Sequence, residues 1–343
     1  MTIRVGIVGA GENARDHARA CNQVKQAELV AICDISEAAL ERFGNEFGVS
    51  LRYTQLEEML AREAPDLVVI STWGAYHARV SNAVARSGKV RAILCEKPIS
   101  MNAAECAEMI AVAREHNVLL TEAFKFRYQP QFHRVKEIVD SGRIGAVKAV
   151  QAFLSTPLVR YLGQTNWRYH RERRGGSVFD TASYLIHIAR FVLDAEPVQV
   201  YATGSYMEGA DVEVSVAIQL QFPGNAIASL ISSYQYGYCQ SSVILGTRGW
   251  IRMELPIDQR SVRETEFVTK EDLPAVVQVF YDNFDTEVYH FAPVNQFELQ
   301  LTYLCQCLET GAQPFISPEF SLGNMRTIDA VYESIRSGQA VSL

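Results

Sequence analysis

Long hydrophobic runs are missing from this sequence. No stretch approaches the roughly 18 to 20 consecutive apolar residues that span a bilayer. The opening residues, Met1-Thr2-Ile3-Arg4-Val5-Gly6-Ile7-Val8, run straight into a strand pattern and leave no room for a secretory signal. Basic blocks are missing too: no five consecutive cations occur and the formal charge is −7, which argues against a nucleic-acid partner. Cysteine is odd in number, at seven, and Cys33, Cys95 and Cys106 lie inside apolar segments, the usage of reduced core thiols in the cytoplasm. Cys305 and Cys307 are two apart on an expected helix and face different ways, and no His/Cys/Asp cluster has ligand spacing. No metal, no membrane and a cytoplasmic location are therefore expected. Repeats, heptads and low-complexity tracts are absent as well.

What is present reads as two domains of ordinary size, 1–121 and 122–343, with 48% hydrophobic and 21% charged residues to build their cores. Arg4 to Val8 is a short apolar strand that meets Gly9-Ala10-Gly11-Glu12-Asn13-Ala14 and then a helical stretch. This is the dinucleotide fingerprint in its G-x-G-x-x-A form. Gly9 permits the tight turn, Gly11 lets a pyrophosphate approach the backbone, and Ala14 keeps helix and strand close. Glu12 and Asn13 open the helix, whose first N–H groups face the anion. A second strand, Glu28 to Cys33, ends in Asp34, about twenty residues further on, where a carboxylate binds ribose hydroxyls and repels a 2′-phosphate. NAD(H) is favoured over NADP(H).

The alternation continues with a third strand, Leu67 to Thr72, followed by Trp73-Gly74-Ala75-Tyr76-His77 and the helix Ala78 to Ser87. Thr72 and His77 are candidate cofactor contacts, although a helix-start histidine serves packing as readily. Ala92-Ile93-Leu94-Cys95 reads as a buried strand that stops abruptly at Glu96-Lys97-Pro98. Ligands of open α/β sheets collect beyond the carboxyl ends of the strands, so Glu96 and Lys97 are placed at the cofactor and Lys97 at the chemistry. The helix Ala103 to His116 and the strand Val118 to Ala123 complete a doubly wound parallel sheet.

The glycine-rich opening, Asp34 after the second strand and Glu96-Lys97-Pro98 together resemble the glucose–fructose oxidoreductase / inositol dehydrogenase / rhizopine-catabolism (Gfo/Idh/MocA) oxidoreductases. The likeness continues through Glu122-Ala123-Phe124-Lys125-Phe126-Arg127-Tyr128-Gln129-Pro130, Gly142-Arg143-Ile144-Gly145, Asn166-Trp167-Arg168, Gly175-Gly176-Ser177 and Asp180. It implies a Rossmann domain followed by an α+β substrate domain. On the family's helix pattern, D-x-G-x-H-x-x-D or a variant, Asp180 matches the aspartate, Tyr184 stands where many members carry histidine, His187 takes the last position and Ala182 replaces the usual glycine. Tyrosine there resembles the sugar-oxidising branch.

Beyond Gly145, Val147–Leu154, Val198–Tyr206, Val212–Phe222, Ala226–Tyr236 and Ser241–Gly246 read as strands. Turns such as Pro223-Gly224-Asn225 join several of them, which fits an open, mostly antiparallel sheet. Its bare face suits a homodimer or homotetramer. The helix Val178 to Leu193, just after the flexible pair Gly175-Gly176, carries Asp180, Tyr184 and His187 at i, i+4 and i+7 on one side. Tyr234, Tyr236 and Tyr238 alternate along a strand, Phe267 to Phe291 reads as an irregular acidic excursion, and helices are expected from about Pro293 to Leu308 and from Leu322 to Ser337.

Hydride transfer from a carbinol to nicotinamide requires removal of the hydroxyl proton. Tyr184 is the expected acid/base, its phenol made more acidic by the Lys97 ammonium, with Asp180 orienting substrate or lysine and His187 relaying the proton outward near neutral pH. The alternative makes His187 the base and Tyr184 a substrate donor. Arg127, Arg160, Tyr161, Asn166, Trp167, Arg168 and Arg174 suit a hydroxylated ring, with Arg127, Asn166, Trp167 and Arg168 the chief substrate contacts beside Lys97, Asp180 and Tyr184. The arginines also suit a carboxylate or a nucleotide diphosphate. The expected activity is an NAD(H)-dependent sugar or polyol oxidoreductase. The other readings are an NAD-dependent glycoside hydrolase working by transient sugar oxidation and a non-catalytic dinucleotide-binding sensor.

Overall fold

The structure, a computed structural model, describes residues 2–163, 165–254, 260–263, 266–269 and 275–343. It divides into two units, Met1–Lys125 with Asn295–Met325, and Phe126–Val294 with Arg326–Leu343. Among the described residues no helix is long and apolar enough to cross a membrane.

The first unit is built on short, mostly apolar strands: β1 (Ile3–Val8), β2 (Ala27–Cys33), β3 (Arg52–Tyr53), β4 (Leu67–Ile70), β5 (Ala92–Cys95) and β6 (Leu119–Glu122). All pair in parallel, in the order β3-β2-β1-β4-β5-β6. That order reverses between β1 and β4, the position at which dinucleotides bind doubly wound sheets. The expected parallel sheet is therefore observed. Helices α1 (Glu12–Gln23), α2 (Glu37–Phe47), α3 (Leu56–Glu63), α4 (His77–Arg86) and α5 (Ala103–Glu115) link the strands. Ser36 Oγ caps α2 by accepting the Ala39 N–H, and Gly48, at φ 70°, stops it in the left-handed region. Strand β3 and helix α3 have no counterpart in the sequence reading, because two residues make no apolar run and α3 buries only Met59 and Leu60. The later helix Gln296–Thr310 supplies Leu301, Leu304, Cys305 and Leu308 to the same core as Ile3, Ile7 and Ala14. Each of these leucines and isoleucines contributes roughly 1.5 to 3 kcal/mol on burial.

The second unit opens with α6 (Pro130–Asp140) and continues with β7 (Val147–Ser155), α7 (Ser183–Leu193), β8 (Gln199–Ser205), β9 (Ser215–Gln221), β10 (Ile227–Ser233), β11 (Cys239–Gly246) and β12 (Gly249–Glu254). A separate hairpin, β13 (Arg260–Arg263) with β14 (Glu266–Thr269), precedes β15 (Ala275–Tyr281) and β16 (Thr286–Phe291). The chain closes with α8, the helix Gln296–Thr310 already placed in the first unit, α9 (Pro318–Ser337) and β17 (Val341–Ser342). Among the described residues the main sheet has nine strands, β16-β15-β12-β11-β7-β10-β9-β8-β17, antiparallel except at β10 and β7. Helix α7 packs on β7 and β10.

Three expectations change here. The stretch Phe267–Phe291 is not an irregular excursion: β15 and β16 add two ordered strands, their alternation masked by acidic and amide residues, while 270–274 lie outside the described residues. Tyr234, Tyr236 and Tyr238 do not share a strand, since β10 ends at Ser233. The helix expected over Val178–Leu193 begins as a π turn, Val178–Ala182, and becomes α-helical only at Ser183.

Candidate active site

In the first unit the glycine-rich loop is shaped by close approach. Gly9 has φ +99°, and a Cβ there would lie 2.5 Å from the carbonyl oxygen of Ser71. At Gly11 the opposite holds: nothing lies within 4 Å of a Cβ position, which leaves an open cradle ahead of α1. No side chain caps α1, so its first N–H groups remain available to an anion, and a dinucleotide's pyrophosphate fits there. Ala14 is fully buried in the core, whereas Glu12 is exposed and pairs with Arg15, and Asn13 is exposed. Asp34 is held on both oxygens: Oδ2 accepts the Ala10 N–H and Oδ1 the Ser36 N–H, each at 2.8 Å. Its carboxylate is thus fixed beside the loop with lone pairs left over for ribose hydroxyls.

Glu96-Lys97-Pro98 follows β5. Glu96 is buried and its Oε1 lies 2.8 Å from His17 Nε2 on α1. Burial works to raise its pKa, but the bond and charge of His17, aided by Lys125 and Lys97, outweigh burial and bring it down to about 2. Glu96 is therefore an ionised anchor between β5 and α1. His77, named as a cofactor contact, is buried, with Nδ1 3.0 Å from the Pro98 carbonyl and Nε2 3.1 Å from the Thr72 carbonyl. Its ring braces the Lys97–Pro98 turn against the end of β4. The Thr72 hydroxyl donates to the Trp73 carbonyl at 3.3 Å.

In the second unit the π turn and α7 carry Asp180, Tyr184 and His187. Asp180 Oδ2 accepts from Arg168 Nε at 2.8 Å and from the Tyr234 hydroxyl at 3.2 Å. Arg168 also lies over the Trp167 ring, 4.4 Å from its centroid, and Asn166 Oδ1 accepts the Arg168 N–H. Tyr184 is 7% exposed and meets Phe126 at 5.7 Å between ring centroids. His187 is wholly enclosed, its Nε2 accepting from Arg127 at 2.9 Å. Burial, with the charges of Arg127 and Arg190, pushes its pKa well below the ordinary value. The expected titration near neutral pH is replaced by a ring that stays neutral, and an outward proton relay through it has no exposed end. Arg127 likewise sits over Phe191 at 3.6 Å, occupied with α7.

Comparison with known proteins decides the family. Residues 3–124 match the model of the GFO/IDH/MocA oxidoreductase family with its NAD-binding Rossmann fold, and residues 132–252 match that of the GFO/IDH/MocA C-terminal domain. The chain belongs to the GFO/IDH/MocA oxidoreductases. It is 30% identical to D-xylose 1-dehydrogenase (NADP(+)) 2 of Haloferax volcanii, over 94% of each chain. It is also 30% identical to inositol 2-dehydrogenase of Rhizobium meliloti, over 100% of each. The crystal structure of aldose-aldose oxidoreductase from Caulobacter crescentus, complexed with glycerol, superposes with a TM-score of 0.88 at 25% identity over 100% of both chains.

Within this GFO/IDH/MocA chain the sequence reading missed several supporting residues. His17 was legible as a polar residue one turn after Ala14 on the buried side of α1. Glu213 was legible as an acid inside the apolar alternation Val212-Glu213-Val214-Ser215-Val216. Tyr234, fully buried, donates to both Asp180 and the Gly176 carbonyl. The pair Gly175-Gly176 is present for closeness rather than flexibility: a Cβ on Gly175 would lie 2.5 Å from the Arg168 carbonyl oxygen, and one on Gly176 2.5 Å from Glu213 Oε1.

Proposed function

We propose that the chain is a sugar or polyol dehydrogenase that moves hydride between nicotinamide and a carbinol or carbonyl carbon of an uncharged, polyhydroxylated ring. The observation that carries the uncharged substrate is the state of the arginines. Arg168 is paired with Asp180, Arg127 is held by His187 and Phe191, and Arg174 lies over Phe179. None of these three is arranged as a fork for a carboxylate or a diphosphate. Trp167, Asn166 and the Asp180 carboxylate suit ring faces and hydroxyls instead.

Bound nicotinamide supplies the hydride acceptor or donor. The cradle at Gly11 and the N-terminus of α1 hold the dinucleotide's pyrophosphate, and Asp34 holds its ribose. Because Asp34 is fixed by two backbone donors, it cannot turn aside for a 2′-phosphate, which supports NAD(H) over NADP(H). We assign Lys97 and Tyr184 to the proton of the reacting hydroxyl, with Tyr184 as the acid/base. Asp180, fixed by Arg168 and Tyr234, orients the substrate.

The open sheet face supports self-association. The ladder pairs Ile227 with Ala149, Ala149 with Leu245, Leu245 with Trp250 and Trp250 with Phe280, an apolar row across five strands. We propose a homodimer or homotetramer built on it.

The test is absorbance of reduced nicotinamide with D-xylose, D-glucose and myo-inositol, each with NAD and NADP. Lys97→Ala and Tyr184→Phe are then compared on the best substrate. Each is expected to lose roughly 10² to 10⁴ in kcat, the range of acid/base catalysis. Near-normal turnover by Tyr184→Phe removes that residue from the chemistry.

A further inference from the structure

Glu213 is a buried carboxylate with no part in hydride transfer, yet it touches the start of the helix that carries Asp180 and Tyr184. It lies just ahead of β9, in a segment pinned from two sides. The Val214 N–H donates to the Ser205 carbonyl, and the Tyr234 N–H donates to the Val214 carbonyl. Its own carbonyl accepts the Ser177 N–H at 3.0 Å, and its Oε1 accepts the Val178 N–H at 2.9 Å and the Tyr332 hydroxyl at 3.3 Å. Gly176 lacks a side chain where a Cβ would meet that same oxygen. The carboxylate thus faces the positive end of the π turn and α7, where a negative charge is most favourable.

The same turn is tied to the substrate-side groups. The Gly176 N–H donates to the Arg168 carbonyl, the Asp180 N–H donates to the Gly176 carbonyl, and Arg168 returns to Asp180 through Nε. A change at Val178 is therefore transmitted to Asp180, Arg168 and the Trp167 ring that Arg168 covers.

We propose that Glu213 is a positioning residue: in its ionised form it holds the first turn of the helix, and through that turn sets Asp180 and Arg168 for substrate. Protonation replaces charge-assisted hydrogen bonds by weaker neutral ones and loosens the turn. Burial pushes its pKa up to about 7, and the Val178 N–H, Tyr332 and Arg171 restrain a larger rise. The groups facing it are Tyr332 on α9 with Arg174 behind it, Arg171 on the preceding loop, Tyr206 after β8, Tyr234 after β10, and Asp180 beyond Tyr234. His187 does not titrate in the same range, since its pKa is far lower.

The inference rests on the dehydrogenase reading, so the experiment has an arm that needs no turnover. In the wild-type chain kcat is expected to fall about five-fold from pH 8.5 to pH 5.5 with a midpoint near 7, the difference between a charge-assisted and a neutral hydrogen bond. Glu213→Gln, which mimics the protonated acid, is expected to give the low plateau at every pH while being more stable than wild type at pH 8.5. A residue with only a structural role predicts the same gain in stability but a variant that works at least as well as wild type. In a Trp73→Phe/Trp250→Phe background, Trp167 fluorescence should titrate near pH 7 with Glu213 present and stay flat with Glu213→Gln. A kcat profile identical in both chains, or a Trp167 signal without an inflection near 7 when Glu213 is present, overturns the proposal. If no sugar is turned over at any pH, the dehydrogenase reading fails, and the fluorescence titration alone decides this one.

Discussion

The buried pair of Glu96 and His17 gives a sharp test of how the first unit is held together. Glu96 falls from an ordinary 4.5 to about 2 in the folded chain. That difference of about 2.5 pKa units, at roughly 1.4 kcal/mol each, amounts to about 3 kcal/mol of stability carried by the ionised form at neutral pH. Its side chain is 8% exposed, so solvent screening removes little of this. The folded pKa is depressed, so the contribution is complete above the unfolded value near 4.5 and is lost as pH falls through about 2. Glu96→Gln keeps the shape and removes the charge. Urea unfolding at pH 7 should show the variant less stable by about 3 kcal/mol. The same comparison at pH 3 should show a gap less than half as large. A variant as stable as wild type at pH 7, or a gap that does not shrink in acid, would refute the assignment of Glu96 as an ionised anchor.

Glu213→Gln should behave in the opposite sense. Its folded pKa, near 7, lies above the ordinary 4.5, so the native chain loses stability as pH rises through about 7. The variant should gain about 3 kcal/mol at pH 8.5 by urea unfolding, and the gain should vanish below about pH 4.5. Asp34→Ser should raise kcat/KM with NADP at least ten-fold relative to NAD, because like charges brought together cost several kcal/mol; an unchanged cofactor ratio in steady-state assays would show that Asp34 does not set the preference. Leu245→Asp, in the middle of the apolar row, should convert the proposed oligomer to monomer by light scattering without loss of helix or strand signal, and an unchanged mass would remove the open face as the interface.

Much of the first unit was legible because its signals are local. Gly9, Gly11, Ala14 and Asp34 follow from one turn and one strand, and the buried parallel strands leave apolar runs whose shortness and flanking turn residues mark them as strands. Strand β3 escaped because two residues carry no period. In the second unit, strands at the sheet's far edge escaped because Gln278, Glu287 and His290 alternate with apolar residues on a half-exposed ladder, which reads as loop composition. Asp180, Tyr184 and His187 were found together, but their partners were not. Arg168 and Tyr234 reach Asp180 from positions 12 and 54 residues away, and Arg127 reaches His187 from 60. Sequence spacing cannot show that an arginine is engaged rather than waiting for a ligand, so Arg127 read as a substrate contact and His187 as a proton carrier. Both assignments depended on solvent access that tertiary packing removes.

The π turn at Val178–Ala182 gives this helix a built-in register adjustment. Such a turn holds one residue more than ordinary α pitch, so deleting Thr181 would let the segment wind regularly. Asp180 would then stand three residues ahead of Tyr184 instead of four, a spacing that still lies on the tyrosine's side of the cylinder. The bulge can thus absorb or release one residue without parting the two polar groups, which makes it a place where chain length can vary while their pairing is kept.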